Sequence, residues 1–255
     1  MLAKALIVLG PPLFVVLAVA FARGEDFQAA VFRDDKESLN YRLLRPAADA
    51  AQKSYPLVLF LHGAGERGSD NQAQLKHMVA MFTTTEARKK YPCFVLAPQC
   101  PAEEKWSDVN WFAPTHRQPE KAARPMALAI KLIGALQKTE PIDPRRLYLM
   151  GLSMGGYGTW DAVVRYPGLF AAAVPVCGGG DETQAAAIAK LPIWAFHGSN
   201  DGAVPVARSR NMIEALRKAG GSPKYTEYPN VGHGSWVPAS KEPGLLPWLF
   251  AQKKQ

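Results

Sequence analysis

Five short runs of uninterrupted apolar residues constrain the fold of this chain more than any other feature. The first, Pro56-Leu57-Val58-Leu59-Phe60-Leu61, ends in His62-Gly63, and residues 93–97, 147–150, 171–176 and 192–196 repeat the pattern. A strand with one face in water alternates apolar and polar residues, whereas a run that never alternates has both faces covered, as in a parallel sheet between two helical layers. The segments between the runs supply the helices: residues 74–82, residues 125–137 with Met126, Ile130 and Ile133 on one face, residues 158–165 and residues 205–218. Ahead of them, residues 27–32 and 39–44 alternate loosely around Asp34-Asp35-Lys36, which predicts an opening antiparallel pair. Strands alternating with helices make a doubly wound, mainly parallel α/β sheet. Only residues 178–190 separate the last two apolar runs, too few for a large cap domain.

A length of 255 residues with 48% apolar composition suits one domain with a sizeable core. The N-terminal stretch reads differently. Lys4 is its only charge, residues 5–19 are apolar, and Ala20-Phe21-Ala22 offers the small residues of a cleavage site, so residues 1–22 are predicted to be a signal peptide and residues 23–255 the catalytic domain. That places the protein outside the cytoplasm, secreted or periplasmic, with no stable membrane insertion after cleavage. The competing reading is an uncleaved membrane anchor, because residues 5–22 are 18 in number, near the minimum for a span; Gly10-Pro11-Pro12 weakens it. The formal charge of +8 is scattered, with small clusters at Arg88-Lys89-Lys90 and Lys253-Lys254 and no basic stripe interleaved with aromatics, so nucleic acid is not an expected partner. Three cysteines make an odd set without metal-ligand spacing. Cys93 and Cys100 bracket one predicted strand, about 23 Å apart if it is extended, too far to bridge, and no structural metal is expected.

Chemistry concentrates at Gly151-Leu152-Ser153-Met154-Gly155-Gly156, between the third apolar run and a helical segment. G-x-S-x-G between a strand and a helix is a nucleophile elbow, with the serine on a tight turn and glycines where backbones crowd. A serine hydroxyl needs a base to take its proton and a carboxylate to orient that base. Asp201 follows the strand at 192–196, and His233 follows a further strand at 224–228; the order Ser153, Asp201, His233 is that of α/β-hydrolases. The oxyanion requires two amide donors. Met154 N–H, at the start of a helix, is one, and the glycine-flanked loop after the first apolar run points to Ala64 N–H as the other, with Gly65 as the alternative. Glu66 and Arg67 are expected to pair with each other or to orient that loop, and His62 and His197 to hold loops by hydrogen bonds. His77 and His116 are expected to face solvent or the cleft. The long aperiodic segment 101–124 is predicted to shape the cleft, with Trp106 and Trp236 as substrate-binding residues and Trp160 in the core.

Residues 55–68, then Ala97-Pro98-Gln99-Cys100-Pro101, then Ile142-Asp143-Pro144-Arg145-Arg146 leading into Gly151 through Trp160, resemble the secreted α/β-hydrolases described as predicted peptidases or phospholipase/carboxylesterase-like proteins, relatives of feruloyl esterases and polyhydroxybutyrate depolymerases. The resemblance spans nearly the whole mature chain. It implies a serine esterase that works without a cofactor, with Ser153, Asp201 and His233 in the catalytic roles. It also implies an ester substrate, small or part of a polysaccharide or other polymer. A serine peptidase on the same fold, or a non-catalytic binding protein, are the alternatives.

Overall fold

The computed structural model describes residues 27–47 and 52–255. The predicted signal peptide lies outside them. Eight strands form one sheet: β1 (Gln28–Asp34), β2 (Glu37–Leu44), β3 (Tyr55–Leu61), β4 (Phe94–Pro98), β5 (Ile142–Leu152), β6 (Ala172–Val176), β7 (Trp194–Gly198) and β8 (Lys224–Tyr228). Their spatial order is β1-β2-β4-β3-β5-β6-β7-β8. β1 and β2 are the expected antiparallel pair, β2 runs antiparallel to β4, and all remaining neighbours are parallel. The helices are α1 (Thr85–Lys90), α2 (Arg124–Thr139), α3 (Met154–Arg165), α4 (Ala207–Lys218), α5 (Trp236–Ala239) and α6 (Leu245–Ala251).

The unbroken apolar runs divide between two cores. On β3, Leu57, Leu59 and Leu61 enter the cluster shared with Met126, Leu132 and Ile133 of α2 and with Met212 and Ile213 of α4. Val58 and Phe60 point the other way, into the cluster with Met78, Phe82, Leu245 and Leu249. Successive strand side chains leave opposite faces, so covering both faces requires every position to be apolar.

Three elements differ from the sequence expectation. Residues 74–82 form two 3₁₀ stretches, Ala73–Leu75 and His77–Thr83, instead of an α-helix, because His77 sits at φ 64° and a left-handed residue breaks the helical hydrogen-bond run. The basic cluster at 88–90 occupies the last turn of α1, where positive charge complements the helix dipole; Thr84 caps its other end by accepting the Ala87 N–H at 3.2 Å. β5 begins five residues earlier than the apolar run, and its polar entry is held by Asp143, which accepts from Arg146 Nε at 2.8 Å. Among the described residues no helix is long and apolar enough to cross a membrane.

Candidate active site

Ser153, Asp201 and His233 lie in the connections that follow the carboxyl ends of β5, β7 and β8, where open parallel sheets place their clefts. β5 delivers Ser153 into a turn at φ 54°, ψ −117°, a conformation that a residue with a Cβ adopts only when its surroundings impose it. Here they do. Ser153 N–H donates to Val176 O at 2.9 Å, and Ser153 O accepts from Tyr157 N–H at 3.1 Å. The flanking glycines answer to close backbone approach: a Cβ on Gly151 would lie 2.2 Å from Gly155 O, and one on Gly155 would lie 2.0 Å from Leu61 O.

His233, carried by the loop after β8, places Nε2 2.9 Å from Ser153 Oγ. Its Nδ1 lies 2.8 Å from Asp201 Oδ2 and 3.0 Å from Oδ1. An ionised carboxylate only accepts, so the ring proton sits on Nδ1 and the Nε2 lone pair faces the serine hydroxyl, the arrangement of a base. Asp201 also accepts the amides of Ala203 at 2.9 Å and Val204 at 2.8 Å. Burial works against its charge, but the bonds from His197, His233 and the two amides outweigh that cost and hold the carboxyl well below the usual range. The Trp236 ring meets His233 edge-on with centroids 5.3 Å apart, and the His77 ring is tilted against it at 5.3 Å.

The loop after β3 crosses close to the nucleophile, since a Cβ on Gly63 would lie 3.6 Å from Ser153 Cβ. Ala64 opens the 3₁₀ turn Ala64–Glu66 there. The carbonyls of this loop are tied back by side chains: Trp106 Nε1 donates to His62 O at 3.1 Å, His62 Nδ1 to Gly63 O at 2.6 Å, and Arg67 Nε to Ala64 O at 3.0 Å. His62 Nε2 in turn accepts the Cys100 amide at 2.9 Å, and burial pushes this imidazole down to about 4, so it stays neutral. On the opposite side, Met154 begins α3, and the first amides of a helix have no intrahelical acceptor. Glu66 does not pair with Arg67; its Oε1 lies 3.3 Å from His77 Nε2.

Trp106 is not a cleft residue. It is fully buried, packed edge-on against His62 and seated where Gly158 leaves room for its Cβ. An indole N–H buried on folding needs an acceptor, and His62 O supplies it, so the ring lies beneath the loop after β3. Trp160 is buried as expected. The half-buried tryptophan of segment 101–123 is Trp111, which packs against the cluster of Val109, Tyr157 and Val204 and lies under Lys105 Nζ, 5.1 Å from its ring centroid. Arg208, fully buried on α4, went unnoticed in the sequence. It donates to Pro114 O at 2.6 Å, Gly180 O at 2.9 Å and His116 Nδ1 at 2.6 Å, and so ties the cleft segment to the core. Its position in an amphipathic, charge-rich helix carries no sequence signal that separates it from a solvated arginine.

Among the described residues, Cys177, Asp201 and His233 bring a thiol, a carboxylate and an imidazole within 4.8 Å of one another. The last two are bonded to each other, with His233 Nδ1 2.8 Å from Asp201 Oδ2, and burial pushes the Cys177 thiol up to about 12.

Comparison with known proteins agrees with this architecture. The model of the phospholipase/carboxylesterase family matches residues 47–240. A "Probable carboxylesterase" of Oryza sativa subsp. japonica is 28% identical over 74% of this chain and 75% of its own. Poly(3-hydroxyalkanoate) depolymerase C of Paucimonas lemoignei is 29% identical over 55% of this chain and 32% of its own. The crystal structure of a thermostable esterase superposes with a TM-score of 0.82 at 40% identity, covering 90% of this chain; this chain spans 64% of that protein, under two thirds of its length. By its family match and its sheet, the chain belongs to the phospholipase/carboxylesterase family of α/β-hydrolases.

Proposed function

We propose that the chain is an exported serine carboxylesterase working through an acyl-enzyme. The supporting observation is the continuous hydrogen-bonded line from Ser153 Oγ through His233 to Asp201, 2.9 Å and 2.8 Å long at its two links. In this reading His233 Nε2 takes the serine proton as Oγ attacks the ester carbonyl carbon. Asp201, kept ionised, stabilises the imidazolium that forms. The carbonyl oxygen, now an oxyanion, accepts from the Met154 and Ala64 amides. His233 returns its proton to the departing alkoxide, and water then attacks the acyl carbon by the same proton path.

Substrate breadth follows from what surrounds the serine. The β6 to β7 connection contains only a short 3₁₀ segment, Glu182–Ile188, and adds no large cap over the cleft among the described residues. Trp111 and Trp236 border it as half-buried aromatics, and Phe112 and Val237 beside them are 76% and 52% exposed. An open rim with apolar side chains suits bulky or polymer-borne esters. Export rests on the N-terminal sequence alone and is tested by the N-terminus of protein recovered outside the cell.

Hydrolysis of p-nitrophenyl acetate by Ser153→Ala tests the reading. The expected loss is at least about a thousandfold, the scale on which triad residues act. A variant that keeps most of the activity would sink it. Acyl esters assayed beside aminoacyl amides separate an esterase from a peptidase.

A further inference from the structure

We propose that His197 is a positioning residue of this site, a second imidazole that donates to the Asp201 carboxylate and fixes the acid in the position from which it orients His233. The inference rests on the triad reading above.

His197 ends β7 with its side chain wholly buried, four residues before the acid. Its Nε2 lies 3.2 Å from Asp201 Oδ2 and 3.0 Å from Val204 O. Both neighbours only accept, so Nε2 carries a proton in any stable arrangement. On the far side of the ring, Nδ1 lies 2.7 Å from Ser209 Oγ, which is itself 3.2 Å from Gly178 O. The serine proton can point to Nδ1 or to Gly178 O without moving the ring. In both, the Nε2–H lies between Val204 O at 3.0 Å and Asp201 Oδ2 at 3.2 Å and is shared by the two acceptors.

The consequence is a carboxylate held on every side. Asp201 Oδ1 takes the Ala203 and Val204 amides, and Oδ2 sits between His233 Nδ1 at 2.8 Å and His197 Nε2 at 3.2 Å. The amides belong to the same turn as the acid and move with it. His197 joins His233 as a side-chain donor that reaches the acid from outside that turn, and it does so from the buried end of β7. Through Ser209 it reaches the Gly178 backbone, which lies so close to Gly156 of α3 that a Cβ on Gly178 would be 2.5 Å from Gly156 C. The distance from acid to nucleophile is thus set through buried, polar and close-packed links, with His197 as the joint.

Two isosteric replacements separate this role from mere space filling. The amide of Gln reaches the Nε2 position, and that of Asn reaches only the Nδ1 position. His197→Gln should keep kcat on p-nitrophenyl acetate within about threefold. His197→Asn, measured per folded molecule by circular dichroism, should lose on the order of ten- to hundredfold in kcat with KM nearly unchanged, the scale of one hydrogen bond to a charged group. In an Asp201→Asn background His197→Asn should cost nothing further, because its effect passes through the carboxylate. If His197→Asn does not fold, His197→Met, which fills the site without a donor, takes its place in the cycle. Equal activity of the Gln and Asn variants, or additive losses in the double variant, would overturn the proposal while leaving the triad reading intact. An Asp201→Asn enzyme with most of its activity would instead overturn the triad reading, and this inference with it.

Discussion

Replacing Gly155 by alanine tests the claim that the nucleophile turn is dictated by backbone contact. The added carbon would stand 2.0 Å from Leu61 O, 2.6 Å from Leu61 C and 2.9 Å from His62 O. A carbon normally approaches a carbonyl oxygen no closer than about 3.3 Å, so the overlap is roughly 1.3 Å. Neither side yields easily: β3 is wholly buried and paired on both edges, and α3 is buried from Met154 to Val163. Overpacking of this kind costs about 1–3 kcal/mol, and a domain of this size loses about 2–4 °C in Tm per kcal/mol. Activity should suffer more. Leu61 leads directly into the loop proposed to hold the oxyanion and Gly155 follows Ser153 by two residues, so on the proposed mechanism relief of the clash separates the serine oxygen from the oxyanion donors, and about 1 Å of misplacement costs roughly a hundredfold. Thermal denaturation by circular dichroism and kcat on p-nitrophenyl acetate are the assays. Gly134→Ala on α2 is the control: an added Cβ there meets nothing within 4 Å, so helix propensity alone should raise stability by about 0.5–1 kcal/mol with kcat unchanged. A Gly155→Ala protein with parental Tm and kcat would refute the reasoning.

Trp106→Phe keeps the buried ring but removes the donor to His62 O; it should cost about 1–3 kcal/mol in urea unfolding and lower kcat more than it changes KM, and unaltered values of both would mean the indole N–H does not secure the oxyanion loop. Arg208→Met should raise KM for bulky esters more than it lowers kcat on p-nitrophenyl acetate, because the segment around Pro114 and His116 loses its anchor; a change confined to kcat contradicts that role. Stability should fall with acidification in a defined window. Burial pushes His62 and His116 down to about 4, with Arg208 adding to the effect at His116, so both fold as neutral rings and protonation favours the unfolded chain. Their contribution is complete above about pH 6.5, the unfolded value, and is lost as the pH falls through 4. Urea midpoints that stay flat from pH 7 to pH 4 would contradict this.

Local chemistry made much of this protein legible from its sequence. Unbroken apolar runs announced a sheet covered on both faces, and glycines at fixed offsets around Ser153 announced a turn where backbones touch, because both follow from constraints acting within a few residues. Asp201 and His233 stood out as candidates for a related reason: each follows a strand by a short loop, and strand ends in parallel sheets converge on one edge. Their hydrogen bonds join residues 32 and 80 positions apart, and only the tertiary structure brings those atoms to bonding distance. Side-chain direction in loops was not legible. Trp106 and Trp111 lie in one aperiodic segment with the same residue type. Packing alone decides that the first is sealed beneath the loop after β3 while the second stays half-buried against Tyr157 and Val204. The buried Arg208 and the His197 contact with Asp201 escaped for the same reason: burial of a polar side chain depends on whether distant carbonyls and carboxylates arrive to satisfy it, and no local pattern of residues encodes that arrival.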